Sequence, residues 1–172
     1  MDALELARLA YREVHREFLE DLSGMTAGEF WSPPPGAQNH PGFLAWHVVR
    51  DEDYVIQRVV RGTEELWASE RWDERLGIDT DAQGTGFTPG EAAALRYPIE
   101  TFRQYCDRVF AATDAALAAA SADLFDRSIT WDGRASSMSM ASQLHTGSVG
   151  HAWVHLGEMR AIRGLSGWRF RE

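Results

Sequence analysis

Hydrophobic residues recur at helical spacing in four segments of the chain. The first segment covers about Asp2–Leu22, where leucine, valine and phenylalanine form an apolar stripe. The second begins at Asn39 or His40 as the cap, with Pro41 in the first turn, because proline fits the start of a helix. It ends at Gly62, since glycine is the common residue just beyond a helix. Both segments predict amphipathic helices.

The third segment begins with "TPGE" at Thr88, a capping box with proline at the first helical position. It extends towards Ala120, and we expect a kink at Pro98. The fourth segment covers about Ser139–Gly164. Four helices of this length, without a convincing pair of strands, predict an all-α four-helix bundle formed by one domain over residues 1–172.

Three connections separate the predicted helices. "SPPPGAQN" breaks the chain after the first helix because its prolines and glycine cannot continue a helix. Residues 63–88 form a long connection, with a helical turn expected in the first half and an open loop in the second. In this second half, the motif "GTG" indicates only a flexible chain. A third connector includes "RSITW", which we expect to be a short extended piece.

Composition and charge argue against some classes of partner. The formal net charge is -9, with 17 basic and 26 acidic residues, which argues against a nucleic-acid partner because such proteins need a basic face. No apolar run approaches the roughly 18 residues of a membrane span, so we expect no membrane partner. Cys106 is the single cysteine, which excludes an intrachain disulfide and fits a cytoplasmic protein.

Two histidines of the fourth helix, His151 and His155, lie four residues apart in "HAWVH". At about 100° per residue they share one face, so both imidazoles can bind one ion. The motif is not that of a zincin protease, because Ala152 stands where the catalytic glutamate would be. His47, in the middle of the second helix, could supply a third nitrogen and leave a fourth position open, as in catalytic zinc sites. The alternative is that all three are core histidines.

The remaining histidines are weaker candidates for ligands. His15 lies in "REVHREF" and is expected to be solvated. His40 is explained as a helix cap. His145 precedes His151 by six residues, which turns it about 120° away, so we expect it to support the site or the fold and not to bind the ion.

Three further side chains are candidates to support the ligands. Asp51 and Tyr54 follow His47 at helical spacing, and Glu158 follows His155 by three residues. A carboxylate beside a ligand imidazole can fix its tautomer or act as a general base. The alternative is that "RDED", which contains Asp51, is a solvated charged face.

The segments "WHVVRDEDYVIQRVVRGTEELWASERWDERLG" and "HAWVHLGEMRAIRGLSG" resemble the DinB-like superfamily of bacterial proteins, especially its branch of uncharacterised DinB-family members. The resemblance covers about residues 40–167. It implies a bundle with up-down-down-up connections, usually a homodimer, that holds a divalent zinc or nickel ion. Carried over to this chain, the ligands are His47, His151 and His155. In relatives the residue corresponding to Glu158 is often glutamine.

The resemblance also implies a class of chemistry. Better understood relatives are thiol-dependent transferases and isomerases, including mycothiol-dependent maleylpyruvate isomerase, and use mycothiol, bacillithiol or glutathione. A metal-coordinated thiol is deprotonated, which makes it a nucleophile at neutral pH. We therefore expect thiol-dependent transfer on a small-molecule substrate. Arg50, Arg58 and Arg160 are candidates to bind the carboxylates of such a thiol.

Three other interpretations remain open. The same site could support metal-assisted hydrolysis. The protein could bind a metal without turnover, as a stress-associated protein. It could also be a helical interaction module whose histidines belong to the core. Some relatives are damage-inducible, but the acidic charge gives no support to direct DNA contact.

Overall fold

A computed structural model describes residues 2–33, 39–130, 137–165 and 167. The described residues are mostly helical, which confirms the all-α class. In chain order the elements are α1 (Ala3–Ser23), α2 (Ala27–Trp31), α3 (Pro41–Asp53), α4 (Leu66–Ser69), α5 (Trp72–Leu76), α6 (Pro89–Ala94), α7 (Ile99–Ala119), β1 (Ser128–Thr130), β2 (Ser137–Ser139), α8 (Met140–Ser142) and α9 (His151–Leu165). Helix α3 continues as a π-helical stretch, Tyr54–Arg61, and a second π-helical stretch, Gln143–Gly150, joins α8 to α9. A 3-10 turn covers Ala122–Asp126.

Helix α1 packs against α7 and α9, and α3 packs against the same two helices. Helices α1 and α7 are antiparallel. Two hydrogen bonds show this: Arg8, near the start of α1, donates to the Leu117 carbonyl near the end of α7, and Arg103, near the start of α7, donates to the Leu22 carbonyl near the end of α1. The end of α9 lies beside the end of α1, where Arg160 contacts Glu17. Apolar side chains from all four helices fill the space between them and form the core.

The prediction of one continuous third helix is wrong. Helix α6 ends at Ala94, and α7 begins at Ile99 with Pro98 in extended conformation at its N-cap. Proline disfavours helical conformation in the residue before it, so the chain breaks completely where a kink was expected. The predicted start at Thr88 is confirmed, because its side chain and that of Glu91 form a capping box.

The connections are more ordered than the sequence pattern predicts. Residues 63–88 contain two short helices, α4 and α5, where one helical turn was expected. The expectation of no strand pair is wrong, because β1 and β2 pair antiparallel with Ile129 opposite Met138. Part of the predicted extended piece "RSITW" thus forms a strand, while its Trp131 lies outside the described residues.

His40 caps α3, as predicted. Its Nδ1 atom accepts a hydrogen bond from the backbone N–H of Phe43 at 3.0 Å, and the side chain is fully buried. Burial, and secondarily the charge of Arg96, lowers the pKa of His40 to about 4. The folded chain therefore keeps this imidazole neutral, with its acceptor nitrogen available to the helix.

The His40 cap predicts an acid-dependent loss of stability. Between pH 6.5 and 4 the unfolded chain binds a proton at His40 and the folded chain does not, so the free energy of unfolding falls by as much as about 3 kcal/mol. His40→Asn keeps a capping oxygen that does not titrate. Urea unfolding of both proteins across this range should show the difference in stability shrinking as pH falls, whereas parallel pH profiles would contradict the prediction.

Candidate metal centre

Three imidazoles converge between helices α3 and α9. His151 and His155 lie one turn apart on α9, and their ring centroids are 4.5 Å apart. The ring centroid of His47, on α3, is 5.0 Å from that of His151 and 5.3 Å from that of His155. One nitrogen from each ring lies within 4.8 Å of the others. The structure thus brings together the three histidines that the sequence predicts as ligands.

His47 is held by a backbone carbonyl and by an aromatic ring. Its Nδ1 atom donates to the backbone carbonyl of Gln83 over 2.6 Å, and its ring stacks on Phe43 with an interplanar angle of 7°. The residue is only 8% exposed, and burial lowers the pKa of His47, which favours the neutral imidazole. A neutral ring that carries its proton on Nδ1 keeps a lone pair on Nε2, the atom that a metal needs.

Carboxylates hold the two imidazoles of α9. The Nδ1 atom of His155 lies 2.9 Å from Glu158, and the Nδ1 atom of His151 lies 3.4 Å from Asp51. Glu158 accepts a hydrogen bond from the Nδ1–H of His155, and Asp51 lies within ion-pair distance of the Nδ1 atom of His151. A carboxylate in this place favours the proton on Nδ1 and leaves the Nε2 lone pair free for a metal. Asp51 and Glu158 therefore stand where the sequence predicts support for the ligands.

The Nε2 atoms of His151 and His155 face each other at 2.9 Å. Two lone pairs at this distance repel unless a proton or a cation lies between them. Burial lowers the pKa of His155, which disfavours the doubly protonated ring. The carboxylates beside the two Nδ1 atoms favour the neutral tautomers that carry no proton on Nε2. Three imidazole nitrogens suit zinc or nickel, so the donor set fits a divalent ion of this class.

The charged run "RDED" is not a solvated face. Arg50, Glu52 and Asp53 are at most 3% exposed, and only Asp51 is partly open to solvent. Successive side chains on a helix point about 100° apart, so the four charges reach different neighbours. Glu52 contacts His15, which makes the prediction that His15 is solvated wrong. Hydrogen bonds of the buried side chains of this run connect α3 to α1 and α4.

The structure gives two further candidates, Tyr54 and His145, apolar neighbours. Tyr54 is half-buried and packs against the apolar cluster that contains Ile56. His145 is exposed and lines an apolar pocket of about 200 Å³ beside Leu6 and Leu144.

The arginines considered for anion binding are engaged with acidic residues. Arg50 is buried and contacts Glu65 at 2.8 Å, and Arg58 lies 3.5 Å from the same carboxylate. Arg160 contacts Glu17 and Asp21, each at 2.6 Å. Their candidate role in binding the carboxylates of a thiol gains no support from these contacts.

Sequence reasoning missed the loop that contacts His47. The Gln83 carbonyl is a backbone group, and any residue at this position could supply it. Gly84 belongs to the "GTG" that indicated only flexibility, yet it is buried beside His47. The hydrogen bond between His47 and the Gln83 carbonyl joins residues 36 positions apart, and the spacing of nearby residues does not predict such a contact.

Comparisons with known proteins agree with the fold. A family model described as the DinB superfamily matches residues 10–159. A solved structure, a conserved protein from Enterococcus faecalis, has a TM-score of 0.82 at 23% identity and covers 96% of this chain and 97% of its own. That likeness concerns the fold alone. A search of curated proteins gives no match. Among the described residues, no helix is long and apolar enough to cross a membrane. Because the family model matches most of its length, the chain belongs to the DinB superfamily.

Proposed function

We propose that this protein binds one divalent metal ion, zinc or nickel, through His47, His151 and His155. The observation that carries the proposal is the placement of acceptors around the rings. A carbonyl or a carboxylate lies beside the Nδ1 atom of each imidazole, which leaves the Nε2 lone pairs to converge. With the protons on Nδ1, the Nε2 lone pairs repel one another in the absence of a cation and bind a cation that lies between them.

We further propose that the site supports thiol-dependent transfer to a small molecule. Three protein ligands leave an open position, which is typical of catalytic sites. With a divalent ion present, a thiol that coordinates it is deprotonated and becomes a nucleophile. The resemblance to thiol-dependent transferases favours this use, with mycothiol or bacillithiol as candidate thiols. The chain's own contribution is to fix three tautomers and to exclude water from the buried side at His47.

Metal-assisted hydrolysis is the second candidate. Its support is the carboxylate of Asp51, whose side chain is 29% exposed and lies beside His151. A half-open carboxylate at this place could accept a proton from water, which is the role of a general base. A homodimer is the form expected from the resemblance, and it stays a prediction.

Cobalt substitution tests the thiol proposal directly. We expect the cobalt(II) protein to develop a near-ultraviolet thiolate-to-metal charge-transfer band when 2-mercaptoethanol is added. Ethylene glycol, which has a hydroxyl in place of the thiol, should give no band. His47→Ala should bind cobalt weakly and give no band with either compound.

The outcomes separate the two candidate functions. Cobalt binding without a charge-transfer band for any small thiol would contradict thiol-dependent transfer and leave hydrolysis as the candidate. Hydrolysis then predicts turnover of an activated ester by the metal-loaded protein, with a loss in Asp51→Asn. Metal binding with neither a charge-transfer band nor ester turnover would identify a non-catalytic metal protein.

A further inference from the structure

Residues 79–87, here called the 79–87 loop, are held to the bundle through their backbone carbonyls. Trp67 Nε1 donates to the Thr80 carbonyl at 3.1 Å. Arg50 Nε donates to the Ala82 carbonyl at 3.2 Å, and His47 Nδ1 donates to the next carbonyl, that of residue 83, at 2.6 Å. Three side chains of the bundle thus fix three carbonyls of a segment that has no helix or strand of its own.

We propose that the 79–87 loop is part of the metal site and determines which nitrogen of His47 faces the other two imidazoles. Gly84 is the positioning residue, because it lets the loop approach the ring closely enough for the hydrogen bond. The inference rests on the proposed metal function but concerns residues that do not bind the ion. It makes the loop a determinant of metal affinity.

The close approach at Gly84 leaves no room for a side chain. A Cβ atom at this position would lie 2.8 Å from His47 Nδ1 and 3.1 Å from the Trp46 ring. Neither neighbour can move easily, since Trp46 is fully buried and His47 stacks on Phe43. The backbone also has φ of +83°, a conformation that glycine adopts without strain. Any other residue must displace the loop or the imidazole.

Arg50 holds the loop at the preceding carbonyl. It lies three residues after His47 on α3, so the two side chains leave the same face of the helix. Its guanidinium also contacts Glu65 at 2.8 Å and lies 4.8 Å from the centre of the Trp67 ring. These contacts fix a planar donor in one orientation, which a lysine at the same place could not reproduce.

Gly86 offers a matched control for Gly84. It has nearly the same backbone conformation, with φ of +84°, but a Cβ atom there would meet nothing within 4 Å. Gly84→Ala and Gly86→Ala therefore share the strain of alanine at positive φ. Only the first intrudes on the contact between the loop and His47.

The test measures the His47 tautomer and the zinc affinity of both variants. Long-range ¹H–¹⁵N correlation spectra of the metal-free protein should show the proton on Nδ1 of His47 in wild type and Gly86→Ala. Gly84→Ala should lose that signal. Zinc competition should give a dissociation constant about 10- to 100-fold higher for Gly84→Ala than for Gly86→Ala, the range typical when a ligand histidine loses the group that accepts its other N–H.

Equal zinc affinities and an unchanged His47 tautomer in the two variants would overturn the inference while leaving the metal proposal intact. If wild type binds no metal, the metal proposal fails, and the tautomer alone decides whether the loop orients His47. Should Gly84→Ala not fold, Arg50→Lys removes the Nε donor to the Ala82 carbonyl, and Arg58→Lys, at the exposed arginine beside the same Glu65 carboxylate, is the control. Weaker zinc binding in Arg50→Lys than in Arg58→Lys supports the inference, and equal binding contradicts it.

Discussion

Replacing Asp53 with alanine is expected to lower the free energy of unfolding by about 3–5 kcal/mol, the cost of leaving a buried polar network without its acceptor. Asp53 is fully buried and accepts hydrogen bonds from the backbone N–H groups of Leu66 and Trp67. It also accepts from the Tyr105 hydroxyl at 2.8 Å and lies 3.9 Å from Arg50. Alanine would leave these donors without the carboxylate.

Urea unfolding monitored by circular dichroism measures this cost. Asp107→Ala is the matched control, because Asp107 is exposed on α7 and its loss should change stability by less than about 0.5 kcal/mol. Asp53→Asn should fall between the two, since an amide oxygen still accepts a hydrogen bond. Equal stabilities of Asp53→Ala and Asp107→Ala would show that the network contributes little.

Removing His151 or His155 is expected to weaken zinc binding by more than the roughly 10- to 100-fold that is typical for the loss of a residue hydrogen-bonded to a ligand. Each substitution removes one of the three nitrogens that would bind the ion. His145→Ala is the control, because His145 lies on the same part of the chain but is exposed and away from the cluster.

Competition for zinc against a chromophoric chelator gives the affinities of wild type and the three variants. We expect His145→Ala to match wild type and both α9 ligand variants to lose most of their affinity. If His145→Ala weakened binding as much as His151→Ala, the ion would not be held by the converging imidazoles. The same comparison with nickel addresses which ion the site prefers.

Helical spacing was enough to predict that two of the histidines share one face of a helix. Two residues four apart on a helix share a face whatever surrounds them, so His151 and His155 could be paired from the sequence. His47 followed from its place in the middle of an apolar helix. The carboxylates Asp51 and Glu158 followed from the same periodicity, because each lies one turn from a histidine along its own helix.

Contacts between distant segments could not be predicted in this way. The burial of Glu52 depends on His15, 37 positions away, and charge alone indicated solvent for both. The contact of Gln83 with His47 depends on a loop whose path has no periodic pattern. Local patterns specify which faces are apolar, whereas the partner of each buried polar group depends on the assembled fold.

Two local features, a proline and a pair of short strands, explain the elements that were predicted wrongly. Pro98 could end or kink a helix, and the two outcomes differ by interactions of the preceding residues with the core. The strands that follow α7 are three residues each, too short for an alternating pattern to identify them. The connection order of the bundle and the dimer came only from the resemblance to DinB-like proteins.

Whether one divalent ion binds between α3 and α9 can be measured as the metal content of protein expressed without a histidine tag. Elemental analysis should find about one equivalent of a divalent transition metal per chain in wild type and in His145→Ala. His47→Ala and His151→Ala should lose it, because they remove ligands from opposite sides of one site. Metal-free wild type that takes up neither zinc nor nickel would contradict a metal site at the three histidines, which would then serve only in the packing between α3 and α9.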